Sequence, residues 1–372
     1  MSRLKRTWLR LGGVTLVAGV GLAQLGAKPS SKVDAVDLGT LGGDNAFATA
    51  VNSLGHVVGQ SETADGQFHA FLWREGKPVR RPWWDPAPVG EMTDLGTLPD
   101  LPNSWAEDVN DHDQVVGTAI DNSPGATTTR AFIWQSGQLA ALATLPGYPM
   151  SIATHINSRG EVVGFARREE SAPVFGYQAV IWQRGVVAPL PALPGYSLSM
   201  AFAINDLGDI GGVVFGELDS RPVVWRRGVP TELAMLPGYV NGQVQDINRR
   251  GQVVGYAGVS GGGSEARCVL WDTGVMIDLG MLPGHDQCVV SSIDDLGQIV
   301  GDLWNSQTGS STPFIWKSGV MIDLNAYVPP DSGWHLGYAY GIDGGAIVGR
   351  GGNANGDNRA FALRAWTFRL RH

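Results

Sequence analysis

The stretch INSRGEVVG at 156–164 decides the fold, because the chain writes it seven times with small changes. The variants are VNSLGHVVG at 51–59, VNDHDQVVG at 109–117, INDLGDIGG at 204–212, INRRGQVVG at 247–255, IDDLGQIVG at 293–301 and a shortened IDGGAIVG at 342–349. Aligned on Asn52, Asn110, Asn157, Asn205, Asn248, Asp294 and Asp343, the steps are 58, 47, 48, 43, 46 and 49 residues. A period in the forties belongs to propeller-like or solenoid arrays. Asn or Asp opens a turn by bonding its own downstream backbone, and a glycine three residues on supplies positive φ. The phrase is therefore a tight β-hairpin whose second arm is a Val-rich strand.

Working outward, six of the seven units continue into a short apolar run ending in tryptophan: HAFLW at 69–73, RAFIW at 130–134, QAVIW at 178–182, RPVVW at 221–225, RCVLW at 267–271 and TPFIW at 312–316. Such runs suit strands buried on both faces. A glycine three residues after each tryptophan marks a second hairpin into a fourth strand, such as VMIDLGML at 275–282. Leu-Pro-Gly at 145–147, 193–195, 236–238 and 282–284 then gives a type II turn into the next unit.

Four short antiparallel strands repeated seven times predict an all-β fold, a seven-bladed β-propeller of four-stranded blades. The chain opens with an orphan fourth strand, VDAVDLGTL at 33–41, and its last unit stops after RAFAL at 359–363. The N-terminal strand is thus expected to complete the last blade and close the ring, making 33–372 a single propeller domain.

The pattern D-L-G-x-L-P-G, I-N-x-x-G-x-V-V-G and H-A-F-L-W-x-x-G resembles the bacterial extracellular repeat family of HAF type, named for the stretch found here as His69-Ala70-Phe71. The resemblance spans roughly residues 33–363. Asp113 and Ala346 replace the turn glycine, Leu363 replaces the tryptophan, and the histidine occurs once, so no repeated role for His69 follows. The resemblance implies export and propeller-like blades; it brings no catalytic residue with it.

Residues 1–27 have the layout of a signal peptide: Arg3, Lys5, Arg6 and Arg10, an apolar run from Leu11 to Leu22, then small residues. The run is short for a membrane span, and no later segment approaches that length. A periplasmic or extracellular location is expected. Loss of the four cations takes the formal charge from −8 to −12, which disfavours nucleic-acid and anionic-lipid partners. Cys268 and Cys288 are the only cysteines. In an exported chain the pair reads as a disulfide, with two buried free thiols as the alternative.

Few motifs carry chemistry. Gly258-Val259-Ser260-Gly261-Gly262 fits G-x-S-x-G but lies in a glycine-rich connection without the strand-turn-helix context of a nucleophile elbow. The loop GGNANGDN at 351–358 misses the spacing of calcium-binding repeats and reads as a polar hairpin tip. The seven histidines form no metal-ligand pair, so no metal or cofactor is assigned. An insertion at 74–92 carries Arg80, Arg81, Trp83 and Trp84, residue types enriched at binding hot spots. Trp83 and Trp84 are candidate binding residues, for a sugar ring or a protein; the alternative is a loop covering the blade edge.

Propeller chains run from axis to rim, so the strand ending at the repeated Asn or Asp should line the axis. Two positions before that residue stand Asp108, His155 and Asp246 in the second, third and fifth units. Glu107 and Gln245 stand one position earlier. Asp108, His155 and Asp246 are the candidate polar site, with no residue assigned a catalytic role. The leading functional expectation is a binding or scaffolding module for a glycan or protein at the cell surface. The alternative is a hydrolase or lyase with its site in the central channel. Convergence of acid and base groups in one axial pocket decides between them, and a separation of Asp108 and His155 beyond about 8 Å would end the enzyme reading.

Overall fold

The computed structural model of the protein describes residues 32–76, 90–121, 123, 128–168, 176–259 and 265–364. The N-terminal segment read as a signal peptide, Trp83, Trp84 and Ser260 lie outside the described residues. Among the described residues strands account for the regular structure, with one 3-10 turn at Leu324–Ala326. No helix among the described residues is long and apolar enough to cross a membrane.

The first strand, β1, is Val36–Asp37. Unit 1 follows as β2 (Gly42–Val51), β3 (Val57–Thr63), β4 (Phe68–Glu75) and β5 (Gly90–Gly96). Unit 2 is β6 (Asn103–Val109), β7 (Val115–Asp121), β8 (Thr128–Gln135) and β9 (Gln138–Ala141). Unit 3 is β10 (Met150–Ile156), β11 (Val162–Arg167), β12 (Tyr177–Gln183) and β13 (Val186–Pro189). Unit 4 is β14 (Leu198–Ile204), β15 (Ile210–Phe215), β16 (Ser220–Arg226) and β17 (Val229–Glu232). Unit 5 is β18 (Asn241–Ile247), β19 (Val253–Gly258), β20 (Ala266–Asp272) and β21 (Val275–Asp278). Unit 6 is β22 (Gln287–Ile293), β23 (Ile299–Trp304), β24 (Ser311–Lys317) and β25 (Val320–Asp323). The last unit has β26 (His335–Asp343), β27 (Ala346–Gly352) and β28 (Asn358–Arg364).

Each unit is an antiparallel meander in chain order. Units 4, 5 and 6 are joined into a longer sheet by single parallel pairs, Ser220 with Asn241 and Ala266 with Gln287. Strand β1 pairs antiparallel with β28, through Val36 with Ala362 and Asp37 with Phe361. It is far shorter than the strand read at 33–41, and the fourth strand read at 275–282 likewise ends at Asp278. The reason lies in the Asp-Leu-Gly tripeptide. Asp37, Asp94 and Asp278 each accept the N–H of the glycine two residues on, at 2.9, 2.7 and 2.9 Å, and those glycines have positive φ. That Asx turn takes the backbone out of the sheet.

The repeated phrase folds as a hairpin with a bulge. Asn52 Oδ1 accepts the N–H groups of Leu54 and His56, at 3.1 and 2.9 Å. Asp113 takes the left-handed conformation that glycine takes elsewhere, with φ 56°. The glycine closing each phrase serves another purpose. A Cβ on Gly59 would stand 1.9 Å from the Phe47 carbonyl, and the equivalent sites Gly117, Gly164 and Gly255 meet the same obstacle at 2.0 Å. This close approach accompanies a register shift in every inner strand, between Ala48 and Ala50 in β2 and at matching places in the others.

The core is divided among contacts between units. One cluster joins Val58, Leu72 and Leu95 of unit 1 to Val115, Phe132 and Trp134 of unit 2. Others join each later unit to the next, and one joins Val348 and Ala360 of the last unit, with Leu38, to Val57, Phe71 and Trp73 of the first. A pleated face of about five residues cannot bury itself, so each unit is stabilised by its neighbours. Cys268 in β20 and Cys288 in β22 are fully buried and joined as a disulfide between units 5 and 6, with Cα atoms 5.4 Å apart.

Candidate functional site

A cavity of about 380 Å³ is lined by the last residues of all seven inner strands and the first residues of their turns. Its walls follow from the bulges. In a regular strand Glu107 and Asp108 would point to opposite faces. The extra residue inserted at Glu107 turns both toward the axis, which is what a bulge does beside many functional sites. In units 1, 2, 3, 5 and 6 two successive side chains therefore line the cavity; Ala203 is not in the lining, and Gly341 has no side chain to give.

The inner of these two rings brings Asp108, His155 and Asp246 together. His155 Nε2 lies 3.4 Å from Asp108 Oδ2 and 3.9 Å from Asp246 Oδ1. Each also reaches the next unit. Asp108 Oδ2 accepts from the Ile156 N–H at 2.8 Å, and Asp246 Oδ2 accepts from Ile293 N–H and the Ser292 hydroxyl, both at 2.9 Å. His155 Nδ1 stands 3.1 Å from the Ile204 carbonyl, to which a protonated ring donates. Burial alone would lower the imidazole's affinity for a proton. The carboxylates of Asp108 and Asp246 outweigh it and hold His155 above its ordinary range. Burial pushes the Asp108 carboxyl up, against the pull of His155 and the backbone donors.

The other ring holds Glu107, Phe202, Gln245, Ser291 and Tyr340, with Thr49 and Thr154. The threonines are structural: Thr49 donates to Ala106 O and Thr154 to Ala201 O, at 2.7 and 3.0 Å. Gln245 Oε1 accepts from Gln243 Nε2 at 2.7 Å, leaving its own amide N–H groups toward the cavity. Glu107 and Ser291 have no hydrogen-bond or ion-pair partner among the described residues. Burial, and then the neighbouring Asp108 charge, push the Glu107 carboxyl up to about 7.

Below these rings the repeated asparagines form a ladder. Asn52 Nδ2 donates to Asn110 O at 3.0 Å, and the pattern runs on through Asn110, Asn157 and Asn205 to Asn248, which donates to Asp294 O at 2.9 Å. It stops at Asp294, whose carboxylate has no proton to donate and accepts from Gln298 instead. The mouth beyond is acidic. Asp111, Asp206 and Asp295 accept from the backbone N–H of Ser53, Ser158 and Arg249 at 3.0, 2.8 and 2.9 Å. Arg249 Nε reaches Asp206 at 2.6 Å and Asp295 at 3.6 Å. Burial and the nearby acids push Asp343 up to about 6.

Other candidates fall away from the axis. His69 pairs with Asp94 of its own unit, at 2.9 Å. In the loop 351–358, Asn353 Oδ1 accepts from Asn355 and Asp357 N–H, the hairpin tip expected from the sequence. Among the described residues no group of three His, Cys, Asp or Glu could hold a metal ion.

No protein-family model matches the chain, and no curated protein does. Solved structures share the fold. The β-propeller domain of the trilobed protease from Pyrococcus furiosus superposes with a TM-score of 0.52 at 9% identity, over 88% of this chain and 99% of that one. Pyrococcus horikoshii acylaminoacyl peptidase gives 0.51 at 10%, over 85% of this chain and 52% of its own. A puromycin-hydrolyzing peptidase from Mycobacterium tuberculosis gives 0.53 at 12%, over 94% and 56%. The chain thus spans about half the length of the latter two, and at such identity the likeness shows the β-propeller fold. The expectation of a binding or scaffolding module is corrected on these findings. Three of the solved structures similar to this chain are named as a protease or peptidases, and in this chain acid and base groups converge in one cavity at 3.4 Å, the convergence that decides for the alternative.

Proposed function

We propose that the chain is a hydrolase that works in its central channel. The partnerless Glu107 carboxyl beside the Asp108–His155–Asp246 cluster carries the reading. A carboxyl poised near 7 can take and return a proton at neutral pH. In the proposed step, a water oxygen attacks an ester or amide carbonyl while its proton passes to Glu107. The oxyanion accepts from the Gln245 amide and the Ser291 hydroxyl. Collapse breaks the bond to the leaving group, which takes the proton back from Glu107, releasing acid and alcohol or amine. Asp108, His155 and Asp246 tie neighbouring inner strands together, while burial and then the Asp108 charge raise the base.

The scaffold for this site is proposed as a closed seven-bladed propeller. Its supports are the pairing of β1 with β28 and the core shared by the last and first units. Membership of the HAF-type family and export through residues 1–27 belong to the same reading, on the sequence pattern alone. The test is a panel of chromogenic esters and amides with the wild-type chain and Glu107→Gln. Turnover by the wild type and its loss in a folded Glu107→Gln are expected; equal turnover, or none by either, overturns the proposal.

A further inference from the structure

The cavity has a charge imbalance that its own side chains do not correct. Eight carboxyl groups line it, against one imidazole and one guanidinium. His155 is already claimed by Asp108 and Asp246, and Arg249 by Asp206 and Asp295. Glu107, Asp294 and Asp343 have no ion-pair partner among the described residues, and Asp111 shares Arg249 with Asp206 and Asp295. Charges placed together in a pocket with low-dielectric walls focus a field on whatever enters.

Two further observations define the visitor. Phe202 and Tyr340 stand in the same ring as Glu107. Their planes are held in place, Tyr340 stacked on Tyr338 at 5.8 Å and Phe202 edge-on to Phe165 at 6.3 Å. Aromatic rings that share a cavity wall with a carboxyl suit a cation that carries carbon, because the ring quadrupole attracts charge and its carbons exclude water, as Arg350 over the Tyr338 ring at 4.1 Å already illustrates in this cluster. A bare metal ion is a poor fit, since among the described residues no group of three His, Cys, Asp or Glu has the geometry to hold one, and His155 is engaged by Asp108 and Asp246. Around the mouth, at equivalent places in their turns, Leu54, Leu207 and Leu296 are exposed at 61, 68 and 76%. Apolar side chains on a rim just outside acidic ones would contact an apolar body behind a charged head.

We infer that the channel receives an organic ammonium ion, seated between Glu107 and the faces of Phe202 and Tyr340, as the charged end of the substrate. The inference rests on the channel being the functional site. With the proposed hydrolysis it makes the substrate class aminoacyl esters or amides, including short peptides with a free amino terminus. The cavity of about 380 Å³ admits a group of one or two residues.

Isothermal titration calorimetry with three near-isosteric probes tests this: phenethylammonium chloride, 2-phenylethanol and 3-phenylpropanoate. At low ionic strength, roughly 20 mM, the ammonium should bind at least about tenfold tighter than the alcohol, and salt should erode the preference. The carboxylate should not bind. Glu107→Gln should remove most of the preference; Phe202→Leu, a milder change, should weaken the ammonium alone should the first variant fold poorly. Equal binding of ammonium and alcohol, tighter binding of the carboxylate, displacement of the ammonium by stoichiometric Mg²⁺, or no binding of any probe overturns the inference. Ammonium binding without turnover of any ester or amide would sink the hydrolase proposal and leave this one standing. Turnover without ammonium preference would do the reverse.

Discussion

Replacing Glu107 by glutamine changes one atom and removes one titration, so its effect on stability can be worked from the structure. The carboxyl is raised from 4.5 to about 7 in the folded chain, chiefly by burial and then by Asp108. The folded state therefore holds the proton more tightly than the unfolded state. As pH rises from about 4.5 to about 7 the unfolded chain ionises first, and stability falls by linkage. The gap between 4.5 and about 7, at about 1.36 kcal/mol for each tenfold step, amounts to about 3 kcal/mol of stability, fully present below about pH 4.5 and lost above about pH 7. Glu107→Gln escapes this loss. Its stability relative to wild type should rise by about 3 kcal/mol between pH 4.5 and 8, which is about 4 °C in Tm for a chain this size. Scanning calorimetry of both proteins at half-unit pH steps measures it. A difference that stays flat across the window would show that Glu107 is not desolvated in the channel, and the assignment of a neutral-pH base would fail with it.

Other perturbations test the scaffold. Reducing the disulfide, or Cys268→Ser with Cys288→Ser, reopens a link across 20 residues and should cost about 3 kcal/mol in equilibrium unfolding; no change would show that the link contributes nothing between units 5 and 6. Asn205→Ala removes the donor to Asn248 O and the acceptor for Leu207 and Asp209 N–H, and should cost about 3 kcal/mol. Asn205→Asp keeps the acceptor and should cost about half as much; a ranking in the other direction by urea titration would contradict the ladder. Deleting residues 32–38 exposes β28 and unburies Val33 and Leu38, at a cost on the order of 4 kcal/mol. An unchanged melting temperature would argue against a structural role for β1.

The hairpins were legible because Asn, Gly and Val act locally. The turn at Asn52 needs only the next four residues. The second role of the same asparagine was not legible, because its partner, the Asn110 carbonyl, lies in the next unit and in a register that only packing sets. Asp294 shows how fine the distinction is: it keeps the turn and breaks the ladder. Strand lengths were overread at Asp-Leu-Gly, where an Asx turn competes with the sheet. Asp108, His155 and Asp246 could be placed near one another by counting back from the repeat. The same count reaches Glu107, one position before Asp108, but not its burial without a partner, because the bulge that turns it inward is set by packing and leaves only a weak mark, the crowding-intolerant Gly117 on the paired strand.

The pH dependence of kcat/KM bears most directly on catalysis in the channel, since it reports ionisations of the free enzyme. Measured between about pH 5 and 9 on an aminoacyl ester whose amine is fixed as a quaternary ammonium, so that only the enzyme titrates, it should rise with a midpoint near 7 as Glu107 ionises. In Glu107→Gln that limb should vanish with most of the rate. A rate without the limb in the wild type, or the same limb and rate in Glu107→Gln, would place the chemistry elsewhere in the protein.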